Sequence, residues 1–308
     1  MKKLVYLFLA IVLVSCETDI NAGLPQAEPV IAFDAWLYHK AEQQVIDIYT
    51  TNPYFDSSVP VGIGGATVTV VNVNDPVDSY TFTEEANGKY VWNPANATDS
   101  FATIGNTYTL NIDIDGTSYT SLSHLGAVPT VDSITWRLSE ATSFTEEAYF
   151  ANFWSRDLEG DGDTYWIKSW KNGVLLNKPD EINIAYDAAF SVDGNADGLI
   201  FIQPIRETIN PFEFDDNDVL INPFELGDSI YVEINSITQE AFYFLQQVQT
   251  QTARDGGFGE LFAVPLANIQ SNIFSGNESE KVVGFFCVSA SHGLGKVFLE
   301  EDIRITED

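Results

Sequence analysis

Short runs of β-favouring residues, separated by turn residues, recur along the first part of the chain. Val, Ile, Thr, Tyr and Phe dominate the runs, and Asn87-Gly88 and Asp115-Gly116 mark turns between them, the second pair being a strong hairpin signal. The predicted strands cover residues 30–38, 44–50, 66–73, 79–83, 89–92, 107–114 and 118–121. Seven short strands over about a hundred residues favour an immunoglobulin-like β-sandwich at residues 30–127.

A second, larger β-rich domain is predicted at residues 128–308. Its extended segments cover residues 133–138, 148–154, 164–170, 199–204, 229–237, 281–289 and 296–305. One segment differs, because Ala241, Phe244, Leu245 and Val248 recur at helical spacing after a capping Thr238, which predicts a helix over 239–252. The expected fold class is therefore mainly β, with one helix in the second domain.

The first sixteen residues have the pattern of a bacterial lipoprotein signal. Lys2 and Lys3 precede an apolar stretch over 4–14, and Leu13-Val14-Ser15-Cys16 resembles a lipobox. Residues 1–15 are therefore predicted to be a signal peptide, and Cys16 the lipidated first residue of the mature protein, carrying palmitate-like acyl chains. Residues 16–29 are polar and predicted to be a tether. The alternative is an ordinary signal peptide with an incidental cysteine.

Charge and cysteine content exclude several other classes. The chain has 45 acidic and 14 basic residues and a formal net charge of −31, which repels nucleic acid and anionic membrane surfaces. The second cysteine, Cys287, lies in an apolar run and has no predicted disulfide partner, so a buried structural thiol is expected.

Two acidic loops are candidates for calcium binding. Asp193, Asn195 and Asp197 have the spacing of the first half of a calcium loop, with Gly198 at the sharp turn, but Pro204 stands where an EF-hand needs glutamate. Residues 157–163 carry four carboxylates in seven positions. Calcium sites and solvated turns both remain open as interpretations, and no other cofactor is predicted.

The sequence favours a binding protein over an enzyme. His39, His124 and His292 lack a paired metal-ligand spacing, and no nucleophile elbow is present, although paired carboxylates leave a hydrolase as a lesser alternative. Trp166 and Trp170 lie on one face of a predicted strand. They would either bind a sugar or peptide ligand by stacking or pack in the core.

Several short motifs follow one another along the chain in a specific order. They are Asn52-Pro53-Tyr54-Phe55-Asp56, Gly65-Ala66-Thr67-Val68, Tyr80-Thr81-Phe82-Thr83-Glu84, Gly105-Asn106-Thr107-Tyr108, Val128-Pro129-Thr130-Val131-Asp132, Gly227-Asp228-Ser229-Ile230 and Asn268-Ile269-Gln270-Ser271-Asn272. Their order resembles the Bacteroidota outer-membrane lipoproteins known as domain of unknown function 4249. The resemblance implies a lipid-anchored outer-membrane protein often found beside TonB-dependent β-barrel transporters, and it supplies no catalytic residues.

Location and function follow as expectations. Glu17 and Asp19, just after the lipidated cysteine, resemble the acidic export signals of surface lipoproteins, so the extracellular face of the outer membrane is expected. The expected function is a non-enzymatic binding or accessory protein of a TonB-dependent transporter or envelope complex. A surface glycan-binding adhesin that uses the tryptophans is the alternative.

Overall fold

A computed structural model describes residues 28–53, 56–140, 147–215, 219–254 and 269–304. The predicted signal peptide, Cys16 and the tether up to residue 27 lie outside the described residues. The strands are β1 (Ile31–Tyr38), β2 (Gln44–Thr50), β3 (Thr67–Asn72), β4 (Ser79–Ala86), β5 (Lys89–Trp92), β6 (Thr107–Ile114), β7 (Thr117–His124), β8 (Ser133–Ser139), β9 (Ala148–Trp154), β10 (Thr164–Lys171), β11 (Val174–Leu176), β12 (Asn183–Tyr186), β13 (Ser229–Ile237), β14 (Phe274–Ser275), β15 (Val282–Ser289), β16 (Ser291–Val297) and β17 (Ile303–Arg304). The α-helices are α1 (Gln203–Glu207) and α2 (Gln239–Thr252).

The first seven strands join β14 and β15 in one nine-stranded sheet, in the order β14-β7-β6-β3-β4-β5-β2-β1-β15. Buried and more exposed residues alternate along the strands, and the buried ones form the inner face of the sheet. In β6, for example, Tyr108, Leu110 and Ile112 are buried and the residues between them are more exposed. The inward side chains form a single core that includes Phe286 and Val288 of β15. The sheet thereby curls into a nearly closed barrel.

Side chains rather than a backbone ladder join the two ends of this barrel. The Asn272 side chain bonds both backbone groups of Phe286, donating to its oxygen at 2.8 Å and accepting from its nitrogen at 2.9 Å. The Val288 amide donates to Ser123 Oγ on β7 at 2.9 Å. These bonds satisfy part of the free edge of β15, which would otherwise be a template for pairing with another chain.

The sheet pairing bears on two expectations. The seven predicted N-terminal strands belong to one curled sheet, so the immunoglobulin-like arrangement of two facing sheets is not confirmed, although the mainly β class is. Strand β15 pairs in parallel with β1 from Ile31 opposite Val282 to Tyr38 opposite Ser289. Sheet pairing therefore crosses the predicted boundary between residues 127 and 128. The physical reason is that strands from both sides of that boundary are needed to bury the inner face.

The remaining strands form two smaller sheets that share a core. Five strands pair in the order β11-β10-β13-β16, with β12 also on β10, and three pair in the order β17-β8-β9. Trp136 of β8, Phe153 of β9, Ile167 of β10 and Val232 of β13 meet in this second core. The region is a two-layer β structure packed beside the barrel.

Helix α2 covers a third hydrophobic cluster, which lies between the two regions. The predicted helix is confirmed from Gln239 to Thr252, and its Thr238 cap accepts a hydrogen bond from the Ala241 amide at 3.2 Å. Phe242 and Leu245 of the helix join Phe285 and Cys287 of β15 in the cluster. The predicted buried setting of the Cys287 thiol is confirmed, and burial raises its pKa.

Two predicted strands differ from the structure. The segment predicted over 296–305 is interrupted, because β16 ends at Val297 and a 3-10 turn over Glu300–Asp302 precedes β17. Residues 199–204 are not a strand, and helix α1 begins at Gln203 because Pro204 suits the first turn of a helix and cannot donate to a β ladder. Among the described residues, no helix is long and apolar enough to span a bilayer.

Candidate ligand-binding cleft

A cleft with a cavity volume of about 1000 Å³ lies between the barrel and the second region. One wall is the outer surface of β6 and β7 near the barrel seam. Alternation places Thr120, Leu122 and His124 on this surface, because Tyr119, Ser121 and Ser123 are buried on the opposite face. The side chains of Leu122 and of Phe274 on β14 are 62% and 68% exposed. The wall thus combines hydroxyl groups with two apolar side chains open to solvent.

The opposite wall consists of residues 162–165, at the entry to β10, and residues 236–240, which run from the end of β13 into the start of helix α2. Gln239 fixes these two segments to each other, because its Nε2 donates to the Gly162 carbonyl and to Tyr186 Oη, both at 3.1 Å. Gly162 has a φ of +102°, and an added β-carbon would lie 2.7 Å from Gln239 Nε2. The wall therefore depends on glycine at this position.

The charged side chains that line the cleft are acidic. Asp163 and Glu240 are among the described lining residues, and none of those residues is lysine or arginine. Burial, followed by the negative charges of Asp157, Asp187 and Asp197, raises the pKa of Asp163 to about 6. Asp163 is still mostly ionised at pH 7, so the cleft carries negative charge at neutral pH.

The two acidic loops predicted from the sequence lie against each other beside this cleft. Asp197 Oδ1 accepts from the Gly160 amide at 2.8 Å, and Asp157 Oδ2 accepts from the Gly198 amide at 3.1 Å. The buried Asp157 also accepts from Tyr165 Oη at 2.6 Å. A carboxylate of each loop thus accepts a hydrogen bond from a backbone amide of the other loop.

The predicted calcium ligands Asp193, Asn195 and Asp197 all lie on the surface of the second loop. The side chains of Asp193 and Asn195 are exposed, and Asn195 has a φ of +46°, which asparagine tolerates. Within the described ranges, no group of three or more His, Cys, Asp or Glu side chains is placed to hold a metal ion. Calcium at this loop therefore stays a prediction of the sequence.

Calcium and a solvated turn predict different thermal behaviour. If Asp193, Asn195 and Asp197 bind calcium, millimolar calcium raises the melting temperature of the wild type relative to chelator, because the ion binds only the folded state. At a hundredfold excess over Kd the gain is about 2.7 kcal/mol. The Asp197→Ala variant should show no such gain. Coincidence of the calcium and chelator curves of the wild type would identify the loop as a solvated turn.

The two candidate ligand-binding tryptophans share a face of β10 but have different surroundings. The Trp166 ring lies 5.1 Å from the Trp36 ring between the two regions, and Lys168 Nζ lies 3.9 Å from its centroid. Trp170 is half-buried beside Tyr231, with ring centroids 5.4 Å apart. Trp166 is thus engaged in packing, whereas the Trp170 and Tyr231 pair lies nearer to solvent.

Lys168, between these tryptophans, sits in an unusually dry setting for a lysine. Its Nζ donates to Tyr38 Oη on β1 at 2.5 Å, and the neighbouring Lys40 pairs with buried Glu233 at 2.6 Å. Burial is the main cause that lowers the pKa of Lys168 to about 8, and the charge of Lys40 lowers it further against the opposing effects of Glu233, Cys287 and Asp34. Lys168 therefore links the barrel to the second region, and removing its charged amine from water costs free energy.

This pKa predicts that Lys168 makes stability rise with pH between about 8 and 10.5. In that window the unfolded lysine keeps its proton while the folded one loses it, so the free energy of unfolding increases by up to about 3 kcal/mol. Urea unfolding from pH 7 to 10 should show that the stability of wild type minus that of Lys168→Met grows with pH. Subtraction removes the effects of titrating groups that do not interact with Lys168, and parallel curves would contradict the prediction.

The cleft itself was not predicted from the sequence. Its walls come from segments more than a hundred residues apart, such as Leu122 and Glu240. The only local signal was the acidic run at 157–163, which ends at the lining residue Asp163.

Comparison of the sequence with known proteins and protein families shows which family the chain belongs to. No curated protein matches the chain. The family model for a domain of unknown function, DUF4249, matches residues 17–293. The match includes the barrel, both walls of the cleft, helix α2 and strand β15, and it agrees with the resemblance carried by the short motifs. Because it covers most of the sequence, the chain belongs to the DUF4249 family.

Proposed function

We propose that this chain is a lipid-anchored, non-enzymatic binding protein of the outer membrane, acting as an accessory to a TonB-dependent transporter or envelope complex. The observation that carries the proposal is the lipobox-like Leu13-Val14-Ser15-Cys16 at the end of a short apolar stretch. Two or three acyl chains on Cys16 anchor a protein stably, since each buried methylene contributes about 0.8 kcal/mol.

The cleft supports a binding role. It is large, it lies between two packed regions, and polar groups from both regions converge on it. Ligand sites prefer such positions. Part of its lining lies on β6, β7 and the start of α2, whose backbones are fixed by regular hydrogen bonding, so binding requires little ordering of those segments.

Affinity purification from outer membranes in mild detergent tests the accessory role. The tagged full chain should co-purify with an integral β-barrel protein, and a tagged unrelated lipoprotein from the same membranes should not. Recovery of the chain alone, or with the same proteins as the control, would contradict the proposal.

Outward exposure is part of the proposal and rests on Glu17 and Asp19 after the lipidated cysteine. External protease applied to intact cells should digest the chain. Complete protection until the cells are lysed would place it on the periplasmic leaflet instead.

A glycan-binding adhesin is the second candidate function, and the half-buried Trp170 beside Tyr231 favours it. Aromatic rings near solvent can stack on sugar rings. A saccharide panel should change tryptophan fluorescence in the wild type and in Trp166→Phe but not in Trp170→Phe. No response from the wild type would remove this candidate.

A further inference from the structure

We infer that the cleft between the barrel and the second region binds an extended polypeptide segment of a partner protein, and that this segment carries lysine or arginine. The inference rests on the proposed binding function and names the kind of ligand that the same cleft takes.

Charge is the first argument. Asp163 and Glu240 line the cleft without a lysine or arginine among the described lining residues, and the loop carrying Asp163 packs against Asp187 and Asp197. A concave acidic surface with low-dielectric walls concentrates the field and attracts cations. Basic side chains on the ligand would relieve the repulsion among these carboxylates, whereas an acidic ligand would add to it.

Size and shape are the second argument. The cavity volume of about 1000 Å³ is at the upper end of the range of about 300–1000 Å³ for small-molecule pockets. A metal ion or a single amine would leave most of this space to water. Several residues of an extended chain would fill it and reach both walls.

The chemistry of the barrel wall is the third argument. Thr107, Thr109 and Thr120 offer hydroxyl groups that can donate to and accept from a peptide backbone, and Leu122 and Phe274 on the same wall offer apolar contact. An extended peptide presents polar backbone groups along its length and side chains that alternate between two sides. The wall matches that mixture.

The same lining argues against a saccharide in this cleft. Sugar sites rely on several exposed aromatic faces, but among the Phe, Tyr and Trp residues of the described lining only Phe274 is exposed, because Tyr165 is fully buried. The tryptophans Trp166 and Trp170 do not line it. A polypeptide with basic side chains is therefore the ligand class that the lining favours.

Fluorescence anisotropy with a labelled peptide tests the inference. The probe is an acetylated Lys-Val-Lys-Thr-Lys-Val-Lys-Thr amide, compared with a version in which glutamate replaces every lysine. The purified full chain at physiological salt should bind the lysine peptide and not the glutamate peptide. Absence of binding to the lysine peptide, or equal binding of both, overturns the inference.

Matched variants separate cleft binding from attraction to the net charge of −31. Leu122→Arg places a cation in the cleft, and Val77→Arg places one on a residue that is 90% exposed and outside the lining. We expect Leu122→Arg to weaken binding at least tenfold and Val77→Arg less than twofold. Equal weakening by both variants would show general charge attraction and overturn the inference.

A second pair guards against misfolding of the arginine variant. Asp163→Asn removes a cleft charge, and Asp115→Asn removes an exposed charge at a turn whose φ of +51° asparagine tolerates. Only Asp163→Asn should weaken peptide binding, with circular dichroism unchanged in both. Equal effects of the two variants, or displacement of the peptide by spermine at equal molar concentration, would contradict a polypeptide site.

The variants also separate this inference from the proposed function. If Leu122→Arg still co-purifies with the β-barrel protein that the wild type retains, the accessory function stands and the cleft is not the docking site. If Leu122→Arg loses that protein while Val77→Arg keeps it, the inference is supported.

Discussion

Replacing Cys16 with alanine is expected to move the protein from the membrane fraction to the soluble pool. The variant has no thiol at position 16 to accept acyl chains, and each lost methylene removes about 0.8 kcal/mol of membrane affinity. The net charge of −31 gives no compensating attraction to an anionic bilayer. Fractionation followed by immunodetection measures the change.

The other cysteine provides the control for this prediction. Cys287 is buried in β15, so Cys287→Ala changes the core slightly and leaves the lipidation sequence intact. It should stay with the membranes. Retention of Cys16→Ala at the wild-type level, after removal of any bound partner, would contradict lipid anchoring.

Replacing Gly284 with alanine is expected to destabilise the fold by about 3 kcal/mol or more, since positive φ and overpacking add. Gly284 has a φ of +114°, and an added β-carbon would lie 1.9 Å from the Phe33 carbonyl oxygen and 2.6 Å from the Phe33 nitrogen. Both clashing atoms belong to the backbone of β1, so relief requires the β1 and β15 strands to separate. Urea unfolding of the purified protein measures the loss.

Gly105 provides a matched glycine without the clash. Its φ is +89°, and an added β-carbon would meet nothing within 4 Å. Gly105→Ala should therefore cost only the backbone term of about 1 kcal/mol. Similar losses in the two variants would show that β15 does not approach β1 as closely as described.

Individual helices and strands were easier to predict from the sequence than the strands with which they pair. The helix at Gln239–Thr252 follows from its cap and its spacing, both of which are visible within fifteen residues of sequence. The strand around Cys287 follows from an unbroken apolar run. The parallel pairing of that strand with β1 is different, because it joins residues about 250 positions apart and leaves no local pattern.

This difference explains why the sheet pairing across residues 127 and 128 was not predicted. The seven N-terminal strands have the lengths and turns of a sandwich, and nothing near Pro129 shows that their sheet is completed later in the chain. The seam residues Ser123 and Asn272 look like ordinary polar positions, although their side chains take the place of a missing ladder. Such a role depends on three-dimensional neighbours.

In the candidate site, too, single residues were recognisable from the sequence but their neighbours in space were not. The acidic run at 157–163 was recognisable, but its packing against the loop that carries Asp197 was not. Trp166 and Trp170 were correctly placed on one face of a strand, while the closeness of Trp166 to Trp36 depends on how the two regions pack. Spacing gives the face of a strand, and tertiary packing decides what covers that face.

Site-specific photo-crosslinking in living cells tests whether the cleft of a membrane-anchored chain receives a partner protein. A photo-reactive amino acid would replace Leu122 in one variant and Val77 in another, since both side chains are mainly exposed and only Leu122 lines the cleft. Position 122 should give one adduct with an integral outer-membrane β-barrel protein, and position 77 should not. No adduct at position 122, or the same adducts from both positions, would contradict binding of a partner protein in the cleft.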